Sequence, residues 1–177
     1  MRPMDERLIV ITGGARSGKS TFAERLVGEL GGAGVTYIAT AEARDDEMRD
    51  RIARHQEQRS GAWQTLEAPY EAASAFAAAE HDVVLLDCLT LLTSNHLLRD
   101  DETAAEAALT ALIAAWRGSG RTLVIVTNEV GWSIVPVNAL ARTFRDLQGR
   151  LNRLAMDAAD VGWLVVAGQP LQLKGPA

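Results

Sequence analysis

The sequence has very few cysteines and no long apolar run. Cys88 is the single cysteine among the 177 residues, which excludes an intramolecular disulfide and a cysteine-rich zinc site. No apolar run reaches the ~18 residues of a transmembrane helix. The segment before the first glycine-rich loop is too short and too acidic for a signal peptide. We therefore expect a cytoplasmic protein without a membrane span.

Positive charge is also scarce. The chain has 18 Lys and Arg against 23 Asp and Glu, a net charge of −5. This argues against a general nucleic-acid binder, which normally carries a basic face, but a small phosphorylated ligand stays open because a local site can still be positive. Only Lys19 and Lys174 are lysines, and Lys19 lies in a glycine-rich loop. The length and the 47% hydrophobic content predict a single domain over residues 1–177.

Short apolar strands alternate with helical patterns along the chain. The predicted strands are 8–12, 35–39, 83–87, 122–127 and 161–167, and the predicted helices are about 18–30, 45–59, 70–79, 102–117 and 138–159. This alternation indicates an α/β fold, a mostly parallel sheet with helices on both faces. The less regular segments 60–69 and 128–137 are expected to be loops, where functional residues concentrate.

Residues 13–20 match the phosphate-loop pattern G-x4-G-K-[ST], with a strand before and a helix after it. The glycines allow backbone N–H groups to surround phosphate oxygens, Lys19 reaches the β- and γ-phosphates, and Ser20 is a ligand for Mg²⁺. Asp87 ends a buried strand and is the expected second Mg²⁺ ligand; the alternative is a solvated carboxylate. The residues expected to bind nucleotide here are Gly13, Gly14, Ala15, Arg16, Ser17, Gly18, Lys19, Ser20 and Asp87. These motifs do not distinguish a kinase from an ATPase or a switch.

Arg51, His55 and Arg59 are spaced by four residues and share one face of the predicted helix 45–59. Guanidinium groups bind phosphate oxygens, and their charge favours the neutral imidazole that can attack phosphorus. The alternative is a solvated surface histidine, and spacing alone does not decide between the two. His81 and His96 have no comparable setting, and we interpret both as structural.

Taken together, the motifs resemble the bifunctional adenosylcobinamide kinase/adenosylcobinamide-phosphate guanylyltransferases of cobalamin biosynthesis. The resemblance runs from about residue 8 to 174. It is carried by the segments 12–20, 37–40, 45–48 with Arg51, Ile52 and His55, 63–67, 86–90, Asn95, 126–131, 134–136, Asn138, 140–142 and 144–146. The block 128–146 and the His55 segment are far more specific than the phosphate loop. The family has a RecA-like phosphate-loop fold, which the resemblance therefore implies here.

The resemblance implies two reactions. ATP or GTP phosphorylates the aminopropanol hydroxyl of adenosylcobinamide, and GTP then transfers GMP to that phosphate and releases pyrophosphate. In this family a histidine carries GMP covalently, and His55 lies where that histidine belongs. Lys19 and His55 are then the catalytic residues, Arg51 and Arg59 bind nucleotide, and Mg²⁺ is the cofactor. A homotrimer, with the active site near a subunit boundary, is also implied.

Guanine recognition needs a carboxylate, because N1–H and N2–H₂ are paired donors. Glu67 is the first candidate and Glu42 is the second; the alternative for each is a surface glutamate. Thr40 and Ala41, which precede Glu42, are also expected to bind nucleotide. Asn128 and Glu129 end a strand and are expected to face the corrinoid or the metal.

One departure from the family pattern puts the shape of the substrate loop in doubt. The relatives commonly have Gly-x-Gly-Ile-Val-Pro, whereas residues 131–136 here read Gly-Trp-Ser-Ile-Val-Pro, with the bulky Trp132 in the expected substrate loop. Two rival functions remain: a single-function small-molecule kinase, and a RecA-like nucleotide-binding switch.

Overall fold

The computed structural model describes residues 7–42, 63–99 and 101–176. Seven strands form one sheet in the order β3-β2-β4-β5-β1-β6-β7, in which every neighbouring pair is parallel except β6 and β7. The strands are β1 Leu8–Gly13, β2 Val35–Ala39, β3 Gln64–Glu67, β4 Val83–Asp87, β5 Thr122–Val126, β6 Val161–Val166 and β7 Gln169–Lys174. The expected mostly parallel sheet is thus confirmed.

Five helices lie on the two faces of the sheet within the described ranges. They are α1 Lys19–Gly31, α2 Ala72–Ala77, α3 Leu89–Leu97, α4 Glu102–Trp116 and α5 Ala139–Ala158. Helix α1 packs on one face of the sheet, against one set of alternate side chains of the central strands. Helices α2 to α5 pack on the opposite face, against the other set. Burial on both faces explains why β1, β4 and β5 read as continuous apolar runs. No helix of the described part is both long and apolar enough to cross a membrane.

Three elements were not predicted from the pattern. Strand β3 lies in the segment expected to be a loop, and β7 follows the last predicted strand; both are edge strands that pair on one side only. Their half-exposed residues give no buried apolar run, and β7 contains Pro170. Helix α3 begins two residues after β4, and its apolar residues read as a continuation of that strand. The predicted helix 70–79 is shorter, at Ala72–Ala77, and the predicted helix 45–59 lies outside the described residues.

Leu109 in α4 provides a test of the larger core. Its side chain is fully buried against the sheet face that α2 to α5 cover. We expect Leu109→Ala to lower the free energy of unfolding by about 2–5 kcal/mol, since the substitution leaves a cavity. Leu98→Ala, at a half-exposed position, should change it by less than about 0.5 kcal/mol. Urea denaturation measures both variants, and equal effects would contradict the assigned packing.

Candidate active site

The carboxyl ends of three adjacent strands bring the predicted site residues to one edge of the sheet. Strand β5 lies between β4 and β1, and all three are parallel. Asp87 ends β4, Gly13 ends β1, and the chain beyond β5 runs through Asn128 and Glu129. Such an edge is where ligands of open parallel sheets bind.

The phosphate loop closes through its own backbone. Ser17 N donates to Gly14 O (3.2 Å), and α1 begins at Lys19 directly after Gly18, whose φ of 93° suits glycine. Lys19 is only 8% exposed, and its Nζ donates to Gly14 O at 3.0 Å. The lysine ammonium therefore lies across the loop, at the amino end of α1, where phosphate is favoured.

The end of β6 and the turn that follows it contact the phosphate loop through backbone atoms. Gly168 N donates to Ser17 O (2.8 Å). A Cβ at Gly18 would lie 3.2 Å from Gly168 Cα, and a Cβ at Gly13 would lie 2.5 Å from Val165 O. Gly13 is thus required by close approach of backbone to backbone, and Gly18 by its positive φ together with a tight contact.

Asp87 faces the same side of the sheet as α1. Leu85, two residues earlier in β4, belongs to the core under α1, and side chains alternate along a strand. The hydroxyl of buried Tyr37 donates to Asp87 Oδ2 at 3.0 Å, which orients the carboxylate.

Ser20 lies in the first turn of α1. A hydroxyl and one carboxylate match the oxygen ligands that Mg²⁺ takes alongside substrate phosphates, and the described residues hold no cluster of three His, Cys, Asp or Glu for a metal.

Thr40 and Cys88 tie β2 to β4 beside this site. Thr40 Oγ1 donates to Cys88 O and accepts from Cys88 N, both at 2.7 Å, so its hydroxyl is already engaged within the protein. Burial, with the nearby charge of Asp87 adding to it, raises the pKa of the Cys88 thiol to about 11. Cys88 is therefore a protonated, structural thiol at neutral pH.

The two guanine candidates lie at the same edge but farther along it. Glu67 ends β3 with its side chain exposed, and half-buried Glu42 follows β2 after Thr40 and Ala41. At about 4.8 Å between strands, β2 and β3 lie about 14 and 19 Å from β1 in the plane of the sheet. His55, Arg51 and Arg59 fall between these two glutamates in sequence, outside the described residues, and the roles of all five stay predictions.

A buried polar network under the edge was not foreseen from the sequence. Its centre is Asn152 in α5, whose Nδ2 donates to Asn128 O (2.9 Å) and Glu129 Oε1 (3.1 Å). Its Oδ1 accepts from Thr127 Oγ1 (2.6 Å) and from Gln148 Nε2 (2.8 Å). Three of these four hydrogen bonds join α5 to the end of β5, and the fourth is to Gln148 in α5 itself.

Comparison with known proteins identifies the family. A family model described as cobinamide kinase/cobinamide phosphate guanyltransferase matches residues 9–173. The chain belongs to this family. It is similar to the bifunctional adenosylcobalamin biosynthesis protein CobU of Salmonella typhimurium (41% identical, over 94% of this chain and 99% of that protein). It is also similar to CobU of Escherichia coli (40% identical, over 94% of this chain and 99% of that protein). CobP of Pseudomonas aeruginosa is 41% identical, over 94% of this chain and 96% of that protein.

Solved structures share the fold at much lower identity. The flagellar accessory protein FlaH from Methanocaldococcus jannaschii has a TM-score of 0.57 and 17% identity, over 98% of this chain and 80% of that one. A KaiC-like protein, PH0186 from Pyrococcus horikoshii, has a TM-score of 0.53 and 14% identity, over 90% and 71%. The expected RecA-like phosphate-loop fold and the expected family are both confirmed.

The support of the phosphate loop by β6 is open to test with a matched pair of glycines. Gly13→Ala places a Cβ against the Val165 carbonyl oxygen, whereas a Cβ at Gly14 meets nothing within 4 Å. We expect Gly13→Ala to lower the melting temperature without nucleotide by several degrees, consistent with about 1–3 kcal/mol of overpacking strain. Gly14→Ala should leave it nearly unchanged. Differential scanning calorimetry compares the two, and equal melting temperatures would contradict the described loop.

Proposed function

We propose that this chain carries out both reactions of its family, as an adenosylcobinamide kinase and an adenosylcobinamide-phosphate guanylyltransferase. The observation that carries the proposal is the phosphate loop closed on Lys19, at the same sheet edge as Asp87 and in a chain that matches a family model described by both activities. The substrates are adenosylcobinamide, its phosphate, and GTP or ATP. No nucleic acid takes part.

In the kinase reaction the aminopropanol oxygen attacks the γ-phosphorus of ATP or GTP. The bond from that phosphorus to the β,γ-bridging oxygen breaks, the nucleoside diphosphate leaves, and the hydroxyl proton is lost. The loop residues Gly13 to Ser20 hold the phosphates through backbone N–H groups. Lys19 exchanges its contact with Gly14 O for phosphate oxygens and stabilises the developing charge.

Ser20 and Asp87 are the residues that would hold Mg²⁺. The hydroxyl and the carboxylate are hard oxygen donors of the kind that Mg²⁺ prefers, and the hydrogen bond from Tyr37 orients the carboxylate. When bound, Mg²⁺ neutralises charge on the phosphates. Asp87 and Ser20 orient the triphosphate relative to Lys19.

In the guanylyl transfer an imidazole nitrogen of His55 attacks the α-phosphorus of GTP. The bond to the α,β-bridging oxygen breaks and pyrophosphate leaves, so that GMP is joined to the histidine. A phosphate oxygen of adenosylcobinamide phosphate then attacks the same phosphorus, the P–N bond breaks, and the imidazole is restored. Arg51 and Arg59 bind the phosphates on either side of His55, and Glu67, with Glu42 as the second candidate, selects guanine.

Covalent labelling tests the guanylyl transfer. Protein incubated with Mg²⁺ and GTP labelled at the α-phosphorus should retain label after denaturation. The label should be lost in acid and stable in base, because a phosphoramidate has those properties. His55→Ala should retain none.

His81→Ala is the matched control and should label like the wild type, since His81 is outside the proposed site. Label on neither the wild type nor the control, in protein shown to bind GTP, would overturn the guanylyltransferase proposal and favour a single-function kinase. Acceptor-independent, slow turnover of nucleotide would instead favour the switch.

We also propose that the protein is a cytoplasmic homotrimer. The loop after β5 is strongly apolar and exposed: Ile134 is 93% and Val137 99% exposed, and Trp132 lies beside them. Its shape is set by Arg142, which donates to the carbonyl oxygens of Pro136 and Val137. An exposed apolar patch next to a site is typical of a protein–protein interface, and the family resemblance supports three copies.

Light scattering tests the oligomeric state. The wild type should have three times the mass of the chain, and Ile134→Asp combined with Val137→Asp should give monomer, because a charge in an apolar interface is costly. Leu30→Asp, at a half-exposed position at the end of α1, should keep the trimer. A monomeric wild type at micromolar concentration would contradict the proposal.

A further inference from the structure

The ends of β2 and β3 stay in contact beyond their last paired residues. Ala68 N donates to Ala39 O at 2.8 Å, which continues the parallel pairing for one residue past β3. Thr40 N donates to Asp87 O at 3.3 Å, which ties the end of β2 to the end of β4. Beyond these contacts the sheet ends, and backbone carbonyl oxygens that are buried there need donors from elsewhere.

Asn95 of α3 supplies such donors to both strand ends. Its Nδ2 donates to Thr40 O at 2.8 Å and to Pro69 O at 2.9 Å, so that both protons of one amide are used. Asn95 is only 4% exposed, and hydrogen bonds shielded from water are stronger electrostatically. One side chain therefore fixes the distance between the segment that follows β2 and the segment that follows β3.

Helix α3 has a fixed position of its own. It begins two residues after β4, and Leu89 and Leu92 are fully buried in the core that α2 to α5 form with the sheet. The hydrogen bonds of Asn95 show that the helix extends from the end of β4 to the ends of β2 and β3. Because a close-packed core resists displacement, the Asn95 amide is a rigid reference for both strand ends.

Side chains that follow Asn95 hold the next residue after β3. His96 Nε2 lies 3.4 Å from Tyr70 O, and the two rings pack edge to face with their centroids 5.4 Å apart. The Arg99 guanidinium lies over the Tyr70 ring, 3.5 Å from its centroid. Pro69 and Tyr70 are therefore anchored by a continuous stretch of the chain that begins at Asn95.

Both guanine candidates lie two residues from a carbonyl group that Asn95 holds. Glu42 is two residues after Thr40, and Glu67 is two residues before Pro69. Two residues span at most about 7 Å, so a shift of the held carbonyl is passed on to the neighbouring carboxylate. Hydrogen bonds tolerate shifts of only a few tenths of an ångström, so the contacts of Asn95 set how well a carboxylate here meets a base.

We infer that Asn95 is a positioning residue for guanine recognition, acting through the ends of β2 and β3. Its amide places the carboxylate of Glu67, or of Glu42, to accept from the N1–H and N2–H₂ donors of the base. The inference rests on the proposed guanylyl transfer. Phosphoryl transfer from ATP should not depend on Asn95, because β4 and β5 lie between β2 and the phosphate-loop strand β1.

The base selectivity of the labelling reaction tests this inference. Covalent labelling with GTP and with inosine triphosphate, each labelled at the α-phosphorus, gives kcat and KM for the two nucleotides. Inosine triphosphate keeps N1–H but lacks the N2 amino group, so the ratio of the two kcat/KM values reports how well a carboxylate meets that group.

We expect Asn95→Ala to raise KM for GTP about tenfold, the effect of weakening one hydrogen bond to a carboxylate. KM for inosine triphosphate should change less, so the GTP preference falls, while kcat for labelling and the kinase kcat with ATP stay close to wild type. Asn95→Ser keeps a hydroxyl donor, is the milder variant, and should give an intermediate preference.

Thr93→Val is the matched control, since it removes a fully buried hydroxyl of the same helix that donates to Leu89 O within α3. It should lower the melting temperature, as Asn95→Ala also should, but leave the GTP preference at the wild-type value. The preference, and not the activity alone, therefore separates positioning from stability.

Glu67→Gln and Glu42→Gln separate failure of this inference from failure of the proposed function. If either glutamate variant loses the GTP preference while both Asn95 variants keep it, or lose activity equally with the two nucleotides, Asn95 has a structural role only and the inference is overturned. A wild-type preference near one, or an unchanged preference in both glutamate variants, would instead overturn the assigned guanine recognition. Absence of label in the wild type would overturn the guanylyl transfer, and the inference falls with either.

Discussion

The parallel pairing of β1 with β5 is the constraint on which the rest of the site depends. It places segments more than a hundred residues apart side by side, from Leu8 opposite Leu123 to the bond between Glu129 and Gly13. Because parallel strands end at a common edge, this pairing carries the phosphate loop, the end of β5 and, through β4, Asp87 to one place. The continuous apolar core on both faces keeps that edge rigid.

Because side chains alternate along each strand, the two faces of the sheet carry different groups of residues at this edge. The α1 face carries Lys19, Asp87 and Asn128. The α5 face carries the hydrogen-bonded network centred on Asn152, which is buried and has all four of its amide bonds made. A buried hydrogen-bonded network rigidifies its surroundings, so the α5 face holds the strand end in place, although Gln148 Oε1 has no partner among the described residues.

The central strands were predictable because burial on both faces leaves an unbroken apolar run, and the phosphate loop because each of its residue types has a fixed task. The edge strands β3 and β7 were missed, since pairing on one side leaves their residues half exposed. Gln148 and Asn152 were missed for a different reason. Two polar residues four apart on an amphipathic helix look like its solvated face, whereas here they point into the sheet end.

By itself the sequence determined the fold class, the phosphate-loop pattern with Lys19 and Ser20, the position of Asp87 at the end of a strand, and the membership of the family. These are local patterns, in which neighbours in the chain carry the information. Only the tertiary structure decided that Asn128 lies on the α1 face of the sheet while Thr127 and Glu129 face α5. That outcome depends on how far β5 stays paired with β1 and on which helix lies beneath. Both follow from contacts between residues distant in the chain, which no local pattern records.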